Sequence, residues 1–500
     1  MLRKLIISSL LLIVLSFSLN AQNSRILYFM NLPQSKFLNP AIKPIDSVYV
    51  GLPVVTGISL GLNNNFVNFS DIIVKGRSDS LITFLHPDYN TSDFLKKIKK
   101  VNFVEPELMV QLFALGFRAG RGYISFDVNE RMSASASFPG SAVEMALNGN
   151  NSFAGQYVDL SSLRGSAAWY HEAGLGYSRN ITPRLRAGVK TKMLLGVMSA
   201  NIQNRSFGIR INQDYSHQFD ADIAANISAP VTISRDQDNN ISSVEFNNDE
   251  MKNTVLMKGE KNVGLGVDLG VTYQFTERVM LSAAVTDLGF IKWKNNVSTL
   301  FTRNNFEFTG LNMTDVINGT KDPGDAGKEL KDSLRTLFNP VEAHAPFTTY
   351  TPSTLSLAGA YRLTKNLNLG VLSSTRMTGR QFHQSLTMSA NLNLGSILMT
   401  SLSYTAANHT YDNIGAGVAL RLAIFQFYVT ADRIPLTWNK IVTDQNSFIL
   451  PANWNTVDLR FGMNLVFGRH RKKVNAAECE NMAEPVTPGE PSDMENPELK

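Results

Sequence analysis

The chain has 500 residues, 43% of them hydrophobic and 18% charged, with a formal charge of +5. It is too polar for a bundle of membrane helices, and its balanced charge does not suit nucleic acid. The single cysteine, Cys479, excludes an internal disulfide framework and any multi-cysteine metal site.

In chain order, Arg3 and Lys4 precede an apolar run, Leu5 to Leu19, that is short for a membrane helix. With Ala21 at its end this reads as a signal peptide, residues 1–21, cleaved before Gln22. Leu19 stands where a smaller residue is usual, so a retained anchor is the alternative. Residues 22–47, with Pro33, Pro40 and Pro44, are long enough to fold into a barrel lumen as a plug.

From there the sequence alternates. Val263, Leu265, Val267, Leu269, Val271 and Tyr273 share one parity, against Asn262, Gly264, Gly266, Asp268, Gly270, Thr272 and Gln274 on the other. Leu185 to Val197 and Leu386 to Leu394 do the same. The last such segment, Asn455 to Gly468, puts Val457, Leu459, Phe461, Met463, Leu465 and Phe467 on one face. A helix would scatter these residues, whereas strands of a transmembrane barrel need one face for lipid and one for a polar lumen.

Strands are predicted near 48–61, 108–119, 121–135, 170–181, 184–199, 262–275, 278–292, 352–363, 366–376, 384–394, 397–406, 413–422, 424–433 and 455–467. The fold class is therefore all-β: an antiparallel up-and-down barrel of about 14 strands with an N-terminal plug segment. Its wall occupies residues 48–468. A further hairpin inside 200–261 would make about 16 strands. Tight connections (Gly120-Arg121, Thr182-Pro183, Thr276-Glu277, Thr364-Lys365, Gly395-Ser396, Ala423) fall at one end, and long ones (62–107, 136–169, 200–261, 293–351, 434–454) at the other. Outer-membrane barrels have this asymmetry, with tight turns in the periplasm. Loop helices are expected after Ser92, as its N-cap, and over 327–337. Residues 469–500 begin with a basic run, Arg469 to Lys473, and end acidic and proline-rich, as a disordered periplasmic tail would.

Motifs for catalysis fail on context. Gly57-Ile58-Ser59-Leu60-Gly61 has nucleophile-elbow spacing but lies inside a strand. Gly264, Gly266 and Gly270 occupy one strand face and not a phosphate-binding turn. Asp236, Asp238 and Asn240 open like a Ca²⁺ loop, but Ile241 replaces the turn glycine. No H-E-x-x-H occurs among the dispersed histidines. No catalytic residue, cofactor or metal is expected.

Alternation assigns Asp127, Glu172, Arg186, Lys190, Lys192, Asp268, Arg362, Arg421, Asp432, Asp458 and Arg460 to the lumen. Such charges either rigidify a barrel interior or select solutes. Arg186, Lys190, Lys192, Arg421 and Arg460 are candidate ligand contacts, with Lys190 and Lys192 suited to an anionic headgroup. The second strand breaks the pattern: Met109, Phe113, Leu115 and Phe117 share one parity and Leu108, Val110, Leu112 and Ala114 the other. Some apolar side chains must then point inward. Met109, Phe113 and Phe117 are candidates, either packed on a plug near Phe37 and Leu38 or lining an apolar pocket.

Asn39-Pro40-Ala41 resembles the motif in the N-terminal hatch of the long-chain fatty-acid transporter (FadL) superfamily. The run Val285-Thr286-Asp287-Leu288-Gly289-Phe290-Ile291-Lys292-Trp293 resembles a strand-end signature of uncharacterised barrels related to the PorV and PorP proteins of type IX secretion. The resemblance spans residues 25–468. It implies an outer-membrane location and a FadL-like barrel but no substrate, because related barrels include transporters and secretion components.

The leading expectation is an outer-membrane barrel that binds or passes a hydrophobic small molecule through a plug-gated lumen. The alternative is a non-transporting anchor of a secretion or surface complex. Expected partners are outer-membrane lipid, a hydrophobic ligand, the barrel-assembly machinery through the strand ending at Phe467, and secretion-system proteins. A soluble β-rich fold is the alternative to the barrel.

Overall fold

The computed structural model describes residues 25–469 except 54, 77–80, 84–85, 87, 215, 236–240, 259–261, 309–340, 379–380, 396, 408–409, 435–436, 443–446 and 452–455. The expected signal peptide, the helix over 327–337, the Asp236–Asn240 loop and the tail lie outside the described residues.

Fourteen antiparallel strands close into a barrel. They are β1 (Asp46–Gly51 and Gly57–Asn64), β2 (Val101–Ala119), β3 (Gly122–Pro139), β4 (Arg164–Asn180), β5 (Leu185–Ile211), β6 (Asn262–Gln274) and β7 (Val279–Trp293). The second half comprises β8 (Ser353–Arg362), β9 (Leu367–Thr378), β10 (Gln381–Leu394), β11 (Leu398–Ala407), β12 (Thr410–Leu422), β13 (Phe425–Ala431) and β14 (Thr456–Arg469). Each pairs with its sequence neighbour, and β14 closes on β1 through Val48↔Phe467, Val50↔Leu465 and Ile58↔Phe461. Pro53, which cannot donate to a ladder, lies in the interruption of β1.

The two faces differ as alternation requires. On β6, Val263, Leu265, Leu269, Val271 and Tyr273 stand exposed on the outside, Leu265 at 59%, while Asp268 is fully buried inside. Among the described residues no helix is long and apolar enough to cross a membrane.

Three expectations need correction. Residues 200–211 continue β5, and His217–Ser228 folds back on them and on Val297–Phe308. These strands form a sheet beyond the wall and add nothing to the strand count. The helix expected after Ser92 is the short Thr91–Leu95, and its N-cap is Asn90, whose side chain accepts from Asp93 N.

Third, β2 owes its apparent double apolar face to a bulge. Gln111 pairs with Asn129 and Phe113 with Val128, leaving Leu112 as the extra residue. A bulge shifts side-chain parity by one. Before it, Glu107, Met109 and Gln111 face inward; after it, Ala114 and Gly116 do. Phe113 packs on the outward Phe126 at 6.1 Å, and Phe117 is exposed on the outer face. Phe113 and Phe117 are therefore wall-exterior residues, not lumen contacts.

Phe113→Arg, which would put a charge on the lipid face at a cost of about 2–4 kcal/mol, should weaken the folded, heat-modifiable gel band. Deleting Leu112, which removes the extra residue and leaves Phe113, Leu115 and Phe117 facing outward, should retain it. An arginine variant that folds as well as the parent protein would refute this parity assignment.

Candidate functional site: the barrel lumen

Residues 25–45 enter from the end that carries the tight turns and lie inside the barrel. Arg25–Phe29 and Pro33–Phe37 are short 3₁₀ turns whose side chains are all buried. Leu27, Tyr28, Phe29, Met30, Leu32, Leu38 and Ile42 form one apolar cluster with Ala358, Leu372, Met399, Ala419 and Tyr428 of the wall. Polar contacts fix the segment at its start, middle and end. Asp432 accepts from the backbone of Arg25 (2.7 Å) and Ile26 (3.1 Å) and from Arg25 Nε (3.3 Å). Gln34 exchanges hydrogen bonds with Asn464, and Arg186 Nε donates to Ala41 O at 3.0 Å.

Asn39-Pro40-Ala41 lies flat on β5 and β6. Asn39 Oδ1 accepts from Ala41 N at 2.8 Å, and Asn39 Nδ2 donates to Tyr28 Oη at 3.0 Å. A Cβ on Gly270 would fall 2.0 Å from Asn39 Oδ1, and one on Gly188 2.5 Å from Pro40. Glycine at these two wall positions is what permits the approach.

A buried ionic network occupies one side of the lumen. Lys192 Nζ lies 2.7 Å from Asp268, 2.5 Å from Asp287 and 3.9 Å from Glu172. Lys190 Nζ lies 2.8 Å from Asp127 and 3.7 Å from Glu172. Arg131 reaches Glu172 (2.9 Å) and Asp287 (3.3 Å). Four carboxylates thus surround three cations in a low-dielectric interior, where pairing offsets the cost of burying each charge. Lys190 and Lys192 are fully engaged here, which counts against their holding an anionic headgroup.

Simple alternation from Val285 would send Asp287 outward. Instead β7 bulges opposite Asp268: Val267 pairs with Leu288 but Leu269 with Val285. Asp287 takes φ 58°, its N–H donates to Asp268 Oδ1 at 2.7 Å, and its carboxylate turns inward. Bulges re-aim side chains in this way. A lone TD pair ahead of a glycine was the available sequence signal for it.

Two spaces flank the segment. One of ≈ 700 Å³ lies on the long-loop side, with Phe37 and Leu38 at its base and Met109, Tyr170, Arg131, Arg376 and Arg460 among its lining. The other, ≈ 380 Å³, lies between segment and wall on the tight-turn side, bordered by Lys36, Phe37, Tyr49, Tyr177 and Lys190. Phe37 borders both. Of the sequence candidates, Met109 and Arg460 share the first space and Lys190 lines the second. Arg421 is apart from both, paired with Asp46 and donating to Val466 O at 3.3 Å near the β14 end. Arg362, assigned to the lumen by alternation, is exposed at the end of β8. Ser59 stands in mid-strand. Among the described residues no group of three or more acidic, His or Cys side chains is placed to hold a metal. Lys36 and Arg376 were missed from sequence, the first because it sits in an aperiodic segment.

A family model described as a family of unknown function (DUF5723) matches residues 40–432. No curated protein matches. Similar solved structures include the toluene transporter TbuX of Ralstonia pickettii (9% identity, 87% of this chain and 94% of that one, TM-score 0.37). Others are the toluene transporter TodX of Pseudomonas putida (8%, 90% and 99%, 0.37) and a FadL homologue of Pseudomonas aeruginosa (10%, 90% and 97%, 0.38).

Asp432→Ala should release the start of residues 25–45. Removing one partner of a buried charge pair costs about 3 kcal/mol, a roughly 100-fold change in an opening equilibrium. With Cys479→Ser as background, thiol labelling of Phe29→Cys should rise accordingly while the heat-modifiable band stays. Unchanged labelling would contradict the anchoring role.

Proposed function

Because the chain belongs to the DUF5723 family, whose function is unknown, its role has to come from its own geometry, and we propose an outer-membrane barrel that passes a small, largely apolar molecule through a lumen gated by residues 25–45. The observation that carries this is Phe37. It is the shared boundary of a space on the long-loop side and a space on the tight-turn side. Displacing one aromatic ring joins the two, which makes the segment a plug with a built-in door.

The apolar belt outside supports placement in a membrane, since an open row of exposed leucine, valine and aromatic side chains is stable in lipid and not in water. The apolar side chains at the plug face, Phe37, Leu38, Met109 and Tyr170, supply an apolar surface inside an otherwise polar lumen. The long loops face outside and the tight turns the periplasm, and export follows from residues 1–21. No step in this reading needs covalent chemistry.

One feature favours the rival reading of an anchor. The sheet made by residues 199–211, His217–Ser228, Val297–Phe308 and Val341–Ala343 projects beyond the wall. Its core of Val158, Leu160, Ile209 and Ile211 packs with Ala142 and Met145 of the helix Gly140–Asn148. A folded outer platform of this kind suits a protein partner.

Phe37→Ala should raise uptake of small solutes into proteoliposomes several-fold over the parent protein, read by swelling. Equal rates would remove Phe37 as the door. Native mass spectrometry of protein gently extracted from its own membrane separates the two readings: a bound apolar molecule supports passage, and a retained second protein supports the anchor.

A further inference from the structure

We infer that the molecule passed by this lumen carries an anionic group, and that Arg460 above Phe37 and Lys36 below it are its two contact points. This rests on the reading of the lumen as a gated path and narrows its substrate to a compact amphipathic oxyanion.

Lys36 is 7% exposed and sits in residues 25–45, pointing its ammonium at the Tyr123 ring, 4.0 Å from the centroid. The charged groups that bear on it are Arg186 and Lys190, both cationic, and one carboxylate, Asp127. Lys190 already takes Asp127 at 2.8 Å and lies over Phe37 at 4.6 Å. Arg186 is held by Ala41 O and Ser178. Among the described residues no carboxylate lies within ion-pair distance of Lys36. The smaller space is thus bordered by more positive than negative charge. A buried cation without a counter-charge is costly, and an entering anion relieves that cost.

Arg460, on the other side, lies in a charge-balanced lining but keeps donors to spare. Its Nε and Nη1 are buried without a hydrogen-bond partner. Its neighbours in the larger space are engaged: Arg376 pairs with Glu107, and Arg131 with Glu172 and Asp287. Asp458 lines the same space. Guanidinium and ammonium groups on the two sides of one door make successive sites for one anion, the arrangement by which pores select charge.

Shape bears on the rest of the molecule. The smaller space leaves little free room while Phe37 is in place, and its border carries the Phe37 and Tyr49 rings, so a compact, flat anion suits the path that opens when Phe37 moves.

The test uses full-length protein in proteoliposomes and three probes of one shape: benzoate, neutral benzamide and cationic benzylamine. Benzoate should enter at least about fivefold faster than benzylamine. Lys36→Met and Arg460→Met should each slow benzoate about fivefold and leave benzamide within about twofold, with Lys36→Arg close to the parent protein. Equal entry of benzoate and benzylamine, or Met variants that slow all three probes alike, would overturn the inference while leaving gated passage intact. If no probe enters even through Phe37→Ala, gated passage itself fails. Calorimetry of benzoate binding to the detergent-solubilised protein then decides the anion site. Binding weakened at least about fivefold by Lys36→Met supports it, and absent or unchanged binding overturns it.

Discussion

A sheet placed in hydrocarbon must leave no backbone N–H or C=O unpaired, because no water is there to satisfy it. The pairing of β14 with β1 meets that constraint. Closure also inverts the polarity of an ordinary protein. Leucine, valine and aromatic side chains go outward, and asparagine, serine and charged residues go inward. The interior is then too polar to pack on itself as a hydrophobic core, so it must be filled by paired charge, by water or by another piece of chain.

Both protein solutions are used, on different sides. On β3 to β7 the charges satisfy one another around Lys190, Lys192 and Arg131. On β8 to β13 small wall residues, Ala358, Gly370, Gly417 and Ala419, leave room for the apolar side of residues 25–45. A Cβ on Gly370 would lie 2.6 Å from the Phe29 ring. The segment is thus apolar toward one wall and polar toward the other, and Lys36, Phe37 and Asn39 belong to its polar and boundary side. That division places the two spaces around Phe37.

Much of this was legible in the sequence, and the failures share a cause. Period-two alternation located every wall strand, because lipid on one side and a lumen on the other impose the same pattern along each strand. The pattern misassigned Phe113 and Phe117 because one extra residue, Leu112, reverses parity without any change in composition. It would also have misplaced Asp287, whose inward turn depends on a left-handed backbone next to Asp268. Lys36 and Phe37 lie in a segment with no period, so only packing reveals them. Arg460 was named as a lumen residue, but that its Nε and Nη1 lack partners while the neighbouring Arg376 takes Glu107 is visible only once strands far apart in sequence are brought together.

The central claim is that residues 25–45 close the lumen. The most direct measurement is conductance in planar bilayers of the full-length protein and of a variant lacking residues 25–42, after heat-modifiable mobility has established that both barrels fold. A quiet parent protein and long-lived open steps in the deletion variant are the expected result. Identical conductance in the two, whether open or closed, would contradict the account.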